Sequence, residues 1–268
     1  TGGLANSERR SPGGHLVLPT ITHRDYFEPP LGRAQRGGAG IAALLVVAVL
    51  VTLLVAAGLA GGGAVRGLAA ARGTATLPAA ARGPVSAAVG RQAPAYRVNG
   101  LHARNPAQRL RATFSPAGAT IAAGHAGERV RLSGFGRATA LQDVAPVTPR
   151  VTANRVDYAH AGVREWWTNG PLGLEQGFDV RSRPGNGRGP LTLSLGLAGD
   201  LRARQAGAGV ALEGKGQALR YGGLSATDAR GRALRARLAV DAGRVQIEVD
   251  DRDAAYPIRV DPFVAQAG

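Results

Sequence analysis

Leu191, Leu193, Leu195 and Leu197 alternate with Thr192, Ser194 and Gly196. A period of two puts the leucines on one face of an extended strand and the small residues on the other, a pattern that an α-helix cannot bury on one side. Val245, Ile247 and Val249 repeat it, as do Tyr256, Ile258 and Val260. "DARG" (Asp228 to Gly231) and "DAGR" (Asp241 to Arg244) supply Asp and Gly where tight connections need them, so Leu219 to Val260 is expected to form a series of hairpins. Upstream, "YRVNGLHARN", "LRATFSPAGATIAA" and "RVRLSGFGRAT" are weaker strands, with Asn99-Gly100 as a hairpin turn. Residues 93–264 are therefore expected to be all-β, an antiparallel β-sandwich or meander. No helical period stands out in them, and no internal repeat.

The N-terminal part has a different texture. Residues 37–65 carry no charge, and "IAALLVVAVLVTLLVAAGLA" (Ile41 to Ala60) is almost pure hydrocarbon. At about 1.5 Å per residue it matches a bilayer core of about 30 Å. It is expected to be a transmembrane helix or signal anchor, longer than the usual signal core of about 7–15 residues. Arg33 and Arg36 flank it on one side and Arg66, Arg72 and Arg82 on the other, so charge orients it weakly; an N-terminus inside leaves the β domain outside. Residues 1–36 are expected to be a disordered tail. Residues 66–92, made of Ala, Gly, Arg and Pro, are expected to be a flexible linker. The chain begins at Thr1 without an initiator methionine, which is expected of a fragment, and residues 265–268 are expected to begin a downstream region.

Composition narrows the chemistry. Cysteine is absent, which excludes disulfides, thiolate metal sites and thiol nucleophiles. The net charge of +15 invites a polyanion partner, but 32 of the 33 basic residues are arginine in a background rich in Gly, Ala and Pro. The codons of Arg, Gly, Ala and Pro are GC-rich, so a coding bias is expected to account for much of the arginine content. The arginines are also spread along strands such as "RALRARLAV" without interleaved aromatics, so nucleic acid is not expected as a partner.

Five isolated histidines (His15, His23, His102, His125 and His160) lack ligand spacing, and no zinc or other metal site is expected. "GLSAT" (Gly223 to Thr227) lacks the second glycine of a nucleophile elbow. The acidic run "VDDRDAAYP", with Asp250, Asp251 and Asp253, has Arg252 in its middle and reads as a polar turn rather than a calcium loop. Glycine-rich "RPGNGRGP" has no following helix and reads as a loop between strands. No cofactor is expected.

The stretch "EWWTNGPLGLEQGFDV" (Glu165 to Val180) holds both tryptophans of a chain that is only 4% aromatic. Adjacent strand residues face opposite sides, so one indole is expected in the core and one at the surface, with Asn169-Gly170-Pro171 as the turn. An exposed indole beside Tyr158 could stack on a sugar, which makes Trp166, Trp167 and Tyr158 the candidate glycan-binding residues. Glu165 and Glu175 flank the tryptophans, and two acids across a sugar are the requirement of a glycosidase.

The segments "VDYAHAGVREWWTNGPLGLEQGFDV", "GPLTLSLGLAGDL", "LRYGGLSATDARGRALRARL" and "VDDRDAAYPIRVDPFV", in that order, form a pattern that resembles the N-terminal β domain of bacterial extracellular FG-GAP repeat proteins. The resemblance covers about 110 residues strongly. It implies a secreted or surface-attached protein in which this domain precedes an integrin-like β-propeller, although no FG-GAP repeat lies in this chain. Together these readings lead to a non-catalytic extracellular structural or adhesion module, at the outer side of the plasma membrane or secreted. Its expected partners are the membrane, through the N-terminal helix, and cell-wall or extracellular glycan or protein. A glycan-binding module and a glycosidase-like hydrolase are the alternatives.

Overall fold

The computed structural model describes residue 77, residues 79–214 and residues 216–266. The expected N-terminal tail, membrane helix and first part of the linker, with residues 267–268, lie outside the described residues. Among those described, no helix is long and apolar enough to cross a membrane.

The chain begins with a helix, α1 (Ala79–Gln92), and a short 3-10 turn (Pro94–Tyr96). It then lays down β1 (Val98–Asn99), β2 (His102–Asn105), β3 (Leu110–Ser115), β4 (Gly118–Ala123), β5 (Ala126–Arg137) and β6 (Ala140–Asp143) in a first sheet. It crosses to a second sheet for β7 (Arg150–Thr152), β8 (Arg155–Ala159), β9 (Val163–Gly170) and β10 (Gly173–Val180). It returns to the first for β11 (Leu191–Gly199), and goes to the second again for β12 (Arg202–Ala206), β13 (Gly209–Gly214) and β14 (Gln217–Thr227). The hairpin of β15 (Ala236–Asp241) and β16 (Arg244–Val249) belongs to the first sheet, and β17 (Ile258–Gln266) to the second.

The first sheet runs β1-β2-β3-β4-β5-β11-β16-β15, with β6 also on β5; the second runs β12-β13-β14-β17-β10-β9-β8-β7. The strand pairings within both are antiparallel. The expected all-β antiparallel architecture is therefore present, and repeated crossing makes it a sandwich rather than a meander.

Alternation builds the core. Leu191, Leu193 and Leu195 of β11 pair with Val249, Ile247 and Val245 of β16 and join one apolar cluster with Val156, Phe178, Val260 and Val264 of the second sheet. Phe114 of β3 meets Trp167 of β9 at 6.3 Å between ring centroids, which ties the sheets together directly. Every member of the cluster is under a tenth exposed, the condition for full hydrophobic stabilisation.

The expected hairpins between Leu219 and Val260 need correction. Only β15–β16 is one, closed by Ala242 and Gly243, both at positive φ as a two-residue turn requires. Residues 228–231 do make the expected tight turn, with the Gly231 amide donating to the Asp228 carbonyl at 2.9 Å and an antiparallel bridge between Thr227 and Ala233, but the chain then crosses to the other sheet and β14 pairs with β17. The Asn99-Gly100 hairpin forms as expected, with Gly100 at φ 59°.

The flexible-linker expectation for residues 66–92 fails for its described end. α1 is helical and packs on β9, with Val85 and Ser86 buried. Its contact face is Gly83, Ser86, Ala87 and Gly90, the spacing of one helical stripe. These residues are small rather than apolar, so the stripe escapes a search for hydrophobic periodicity. The approach is close: a Cβ at Gly90 would stand 2.2 Å from the Asn169 carbonyl oxygen, and one at Gly83 would stand 2.3 Å from Glu175 Oε1. Ser86 Oγ accepts from the Leu172 amide at 3.2 Å.

Candidate functional site

β9 and β10 sit side by side in the second sheet, and their register sorts every candidate side chain onto one of two faces. On the inner face lie Glu165, Trp167 and Asn169 of β9 with Leu174, Gln176 and Phe178 of β10. On the outer face lie Arg164, Trp166 and Thr168 with Glu175, Gly177 and Asp179. The two-residue turn between them is Pro171-Leu172, and β9 continues through Asn169 and Gly170, so the expected turn starts two residues later.

Inside, Glu165 is a buried hydrogen-bond hub. Trp167 Nε1 donates to its Oε1 at 2.8 Å and Gln176 Nε2 to the same oxygen at 2.7 Å. His160 Nε2 stands 3.4 Å from Oε2, and Tyr221 donates to Gln176 Oε1 at 2.6 Å. Tyr158 stacks on His160 and donates to the Ser115 carbonyl at 3.1 Å, across to the first sheet. Burial, and then the Glu165 charge, push the Tyr158 hydroxyl well above its ordinary pKa. The cavity beside these residues measures about 10 Å³, too small for a sugar. A buried polar group without a partner costs about 1–3 kcal/mol, and this network satisfies its members instead.

Outside, Trp166 lies flat on Gly177. A Cβ there would stand 1.9 Å from Trp166 Cζ2, so only glycine leaves room for the indole. The Arg155 guanidinium carbon sits 4.4 Å from the indole centroid and that of Arg259 6.0 Å, both within cation–π range. Carboxylates fix both arginines: Arg155 grips Asp157 through Nε and Nη2, and Arg259 Nε donates to Asp179 at 2.9 Å. Glu175 is buried beside this stack. Burial, and then the Asp261 charge, push it up to about 8, against the pull of Arg155 and Arg259. Asp261 is pushed up to about 7 by burial, with Arg259 opposing and Asp179 adding.

Three expectations are corrected by this geometry. Trp166 and Trp167 do face opposite sides of β9, yet both are buried, at 4% and 1% exposure, because arginines close over the outer one. Tyr158, at 1%, is buried too, so the three proposed glycan-binding residues offer no stacking surface. Glu165 and Glu175 lie on opposite faces of one sheet, since Glu175 pairs with Thr168 and Glu165 with Phe178, and they cannot flank a common substrate.

Asn169 is a clamp between sheets. Its side chain donates to the carbonyls of Tyr96 and Arg104 and accepts from Asn105 Nδ2 at 2.8 Å. Asn154 Nδ2 in turn reaches the Asn169 carbonyl at 2.7 Å and that of Ala87 in α1 at 3.1 Å. The acidic run is likewise more than a polar turn. Asp251 is buried against Arg137, with contacts of 2.7 and 2.5 Å, and accepts from Tyr256 at 2.5 Å. Burial alone would raise its pKa, but the bonds from Arg137 and Tyr256 outweigh that and hold it below the ordinary range.

Among the described residues no group of three or more His, Asp or Glu side chains is placed to hold a metal ion. Sequence reasoning missed Gln176, Tyr221, Asp261, Arg155 and Arg259. Their only signal was alternation, and which strands adjoin was not legible. Comparison with family models, curated proteins and solved structures gave no match.

Proposed function

We propose that this chain is a non-catalytic structural or adhesion module of a bacterial cell-surface or exported protein, a β-sandwich that follows the apolar segment Ile41–Ala60 in the chain. The observation that carries this reading is the docking of α1. The helix α1, which follows the apolar segment in the chain, is fastened to β9 and β10 through Gly83, Ser86, Ala87 and Gly90, so the packed unit begins at α1 rather than at β1. The tryptophans and acids that suggested chemistry serve instead as packing and hydrogen-bonding elements. The motif order resembling domains that precede FG-GAP arrays supports a place at the base of a larger adhesive assembly.

Two measurements test the reading. In a bacterial host the chain should fractionate with the membrane, and protease added to intact cells should release the sandwich; a cytosolic, protected product would overturn it. The reading frame beyond Gly268 should encode a repeat array or a further surface domain, and its absence would remove the assembly role.

A further inference from the structure

On the face of β11 opposite its inward leucines the residues are all small, Thr192 and Ser194 buried and Gly196 and Ala198 reaching the surface. The strands on either side carry arginines. Arg131 of β5 pairs with Gly196 and Arg129 with Ala198. Leu195 pairs with Val245, so Arg244 of β16 stands beside Gly196 from the opposite side. Small side chains between long ones leave an open trough of about 470 Å³ with Gly196 and Ala198 as its floor and the three arginines on its banks. Strands are about 4.8 Å apart, which sets Arg131 and Arg244 roughly 10 Å apart across the trough, and Arg129 follows Arg131 by about 7 Å along β5.

Some of the described arginines of this domain are paired with a carboxylate, as Arg204 is with Glu213, Arg237 with Glu248 and Arg252 with Asp250, while others, Arg104, Arg111 and Arg220 among them, are not. Among the described residues Arg129, Arg131 and Arg244 enter no ion pair; Arg131 donates only to the Val144 carbonyl, at 3.2 Å. Guanidinium forks match phosphate oxygens bidentately, and cations recurring along a trough suit a ligand whose anionic groups also recur. The lining contains no aromatic ring. Single-stranded nucleic acid, which relies on bases stacked on aromatic side chains, has no platform here.

We propose that this trough binds a phosphodiester-linked polyol or sugar chain, with Arg131 and Arg244 holding one phosphate between them and Arg129 the next. This site is independent of the module's place in the cell.

The test uses the full chain in detergent and poly(glycerol phosphate) as probe, measured by calorimetry, with neutral dextran, polygalacturonate and a DNA oligonucleotide alongside. The probe should bind more weakly as salt rises. Arg129→Gln with Arg244→Gln should weaken it at least tenfold with circular dichroism unchanged. Gly196→Leu, which fills the floor and keeps the charge, should do the same; a Cβ at 196 meets Ser133 Cβ at 3.5 Å, ordinary contact that the sheet can accept. Absent binding, or binding that the arginine pair does not weaken, would overturn the proposal. Tighter binding of polygalacturonate or DNA at these arginines would overturn the ligand class.

Discussion

Gly177 shows how one residue can decide the character of a site. With hydrogen as its side chain it lets Trp166 lie on the sheet, where Arg155 and Arg259 stand over the indole, while Glu175, on the same face, is buried with Gly83 of α1 close against its carboxylate. Glu175 and Asp261 carry a testable consequence. Their pKa values rise on folding, Glu175 from 4.5 to about 8 and Asp261 from 3.8 to about 7. The folded state therefore binds more protons than the unfolded chain, and the stability these groups contribute is fully present below about pH 4 and lost as pH rises through 7 and 8. Denaturant titrations should show stability falling across that window, and Glu175→Gln should flatten the part between pH 4.5 and 8. A slope unchanged in the variant would show that Glu175 ionises freely in the folded state.

At the scale of elements, α1 contradicts the texture of its own sequence. "AAARGPVSAAVGRQ" has two glycines and an internal proline, which lower helix propensity, and it has no apolar stripe. It forms because tertiary contact compensates: glycines let its backbone come close to β9, Ser86 Oγ accepts from the Leu172 amide in the turn after β9, and the Ala87 carbonyl accepts from Asn154 in the turn before β8. Gly90→Val should clash with the Asn169 carbonyl and undock the helix. The expected result is limited proteolysis within residues 79–92 at protease levels that leave the unaltered chain intact, with the β signature in circular dichroism retained. Equal resistance in the variant would mean that the stripe does not hold the helix.

For the molecule as a whole, the crossovers between sheets determine which strands become neighbours, and buried polar groups fasten them. The crossover after β16 is held by Asp251, which Arg137 of β5 grips with both side chains essentially buried. Removing one partner of such a pair strands a buried charge and costs about 3–5 kcal/mol. Arg137→Gln should lower the free energy of unfolding by that amount at neutral pH, read from guanidinium denaturation followed by tryptophan emission. A loss under about 1 kcal/mol would place the hold on this crossover elsewhere.

The sequence by itself determined the period of two, hence strands, their inner and outer faces and the antiparallel all-β class, because side-chain alternation is a local property of an extended chain. It located the tight turns at Gly100 and at Ala242-Gly243 for the same reason, since positive φ is a demand on single residues. Tertiary structure alone decided which strands adjoin: β14 with β17 rather than β15, and β11 between β5 and β16. Those pairings join residues far apart in the chain, and alternation says which face a side chain takes but not what will lie against it. Hence the two tryptophans were correctly assigned to opposite faces while the burial of the outer one remained illegible. It rests on Arg155, which the pairing of β8 with β9 brings over Trp166, together with Arg259, which only the pairing of β17 with β10 brings there.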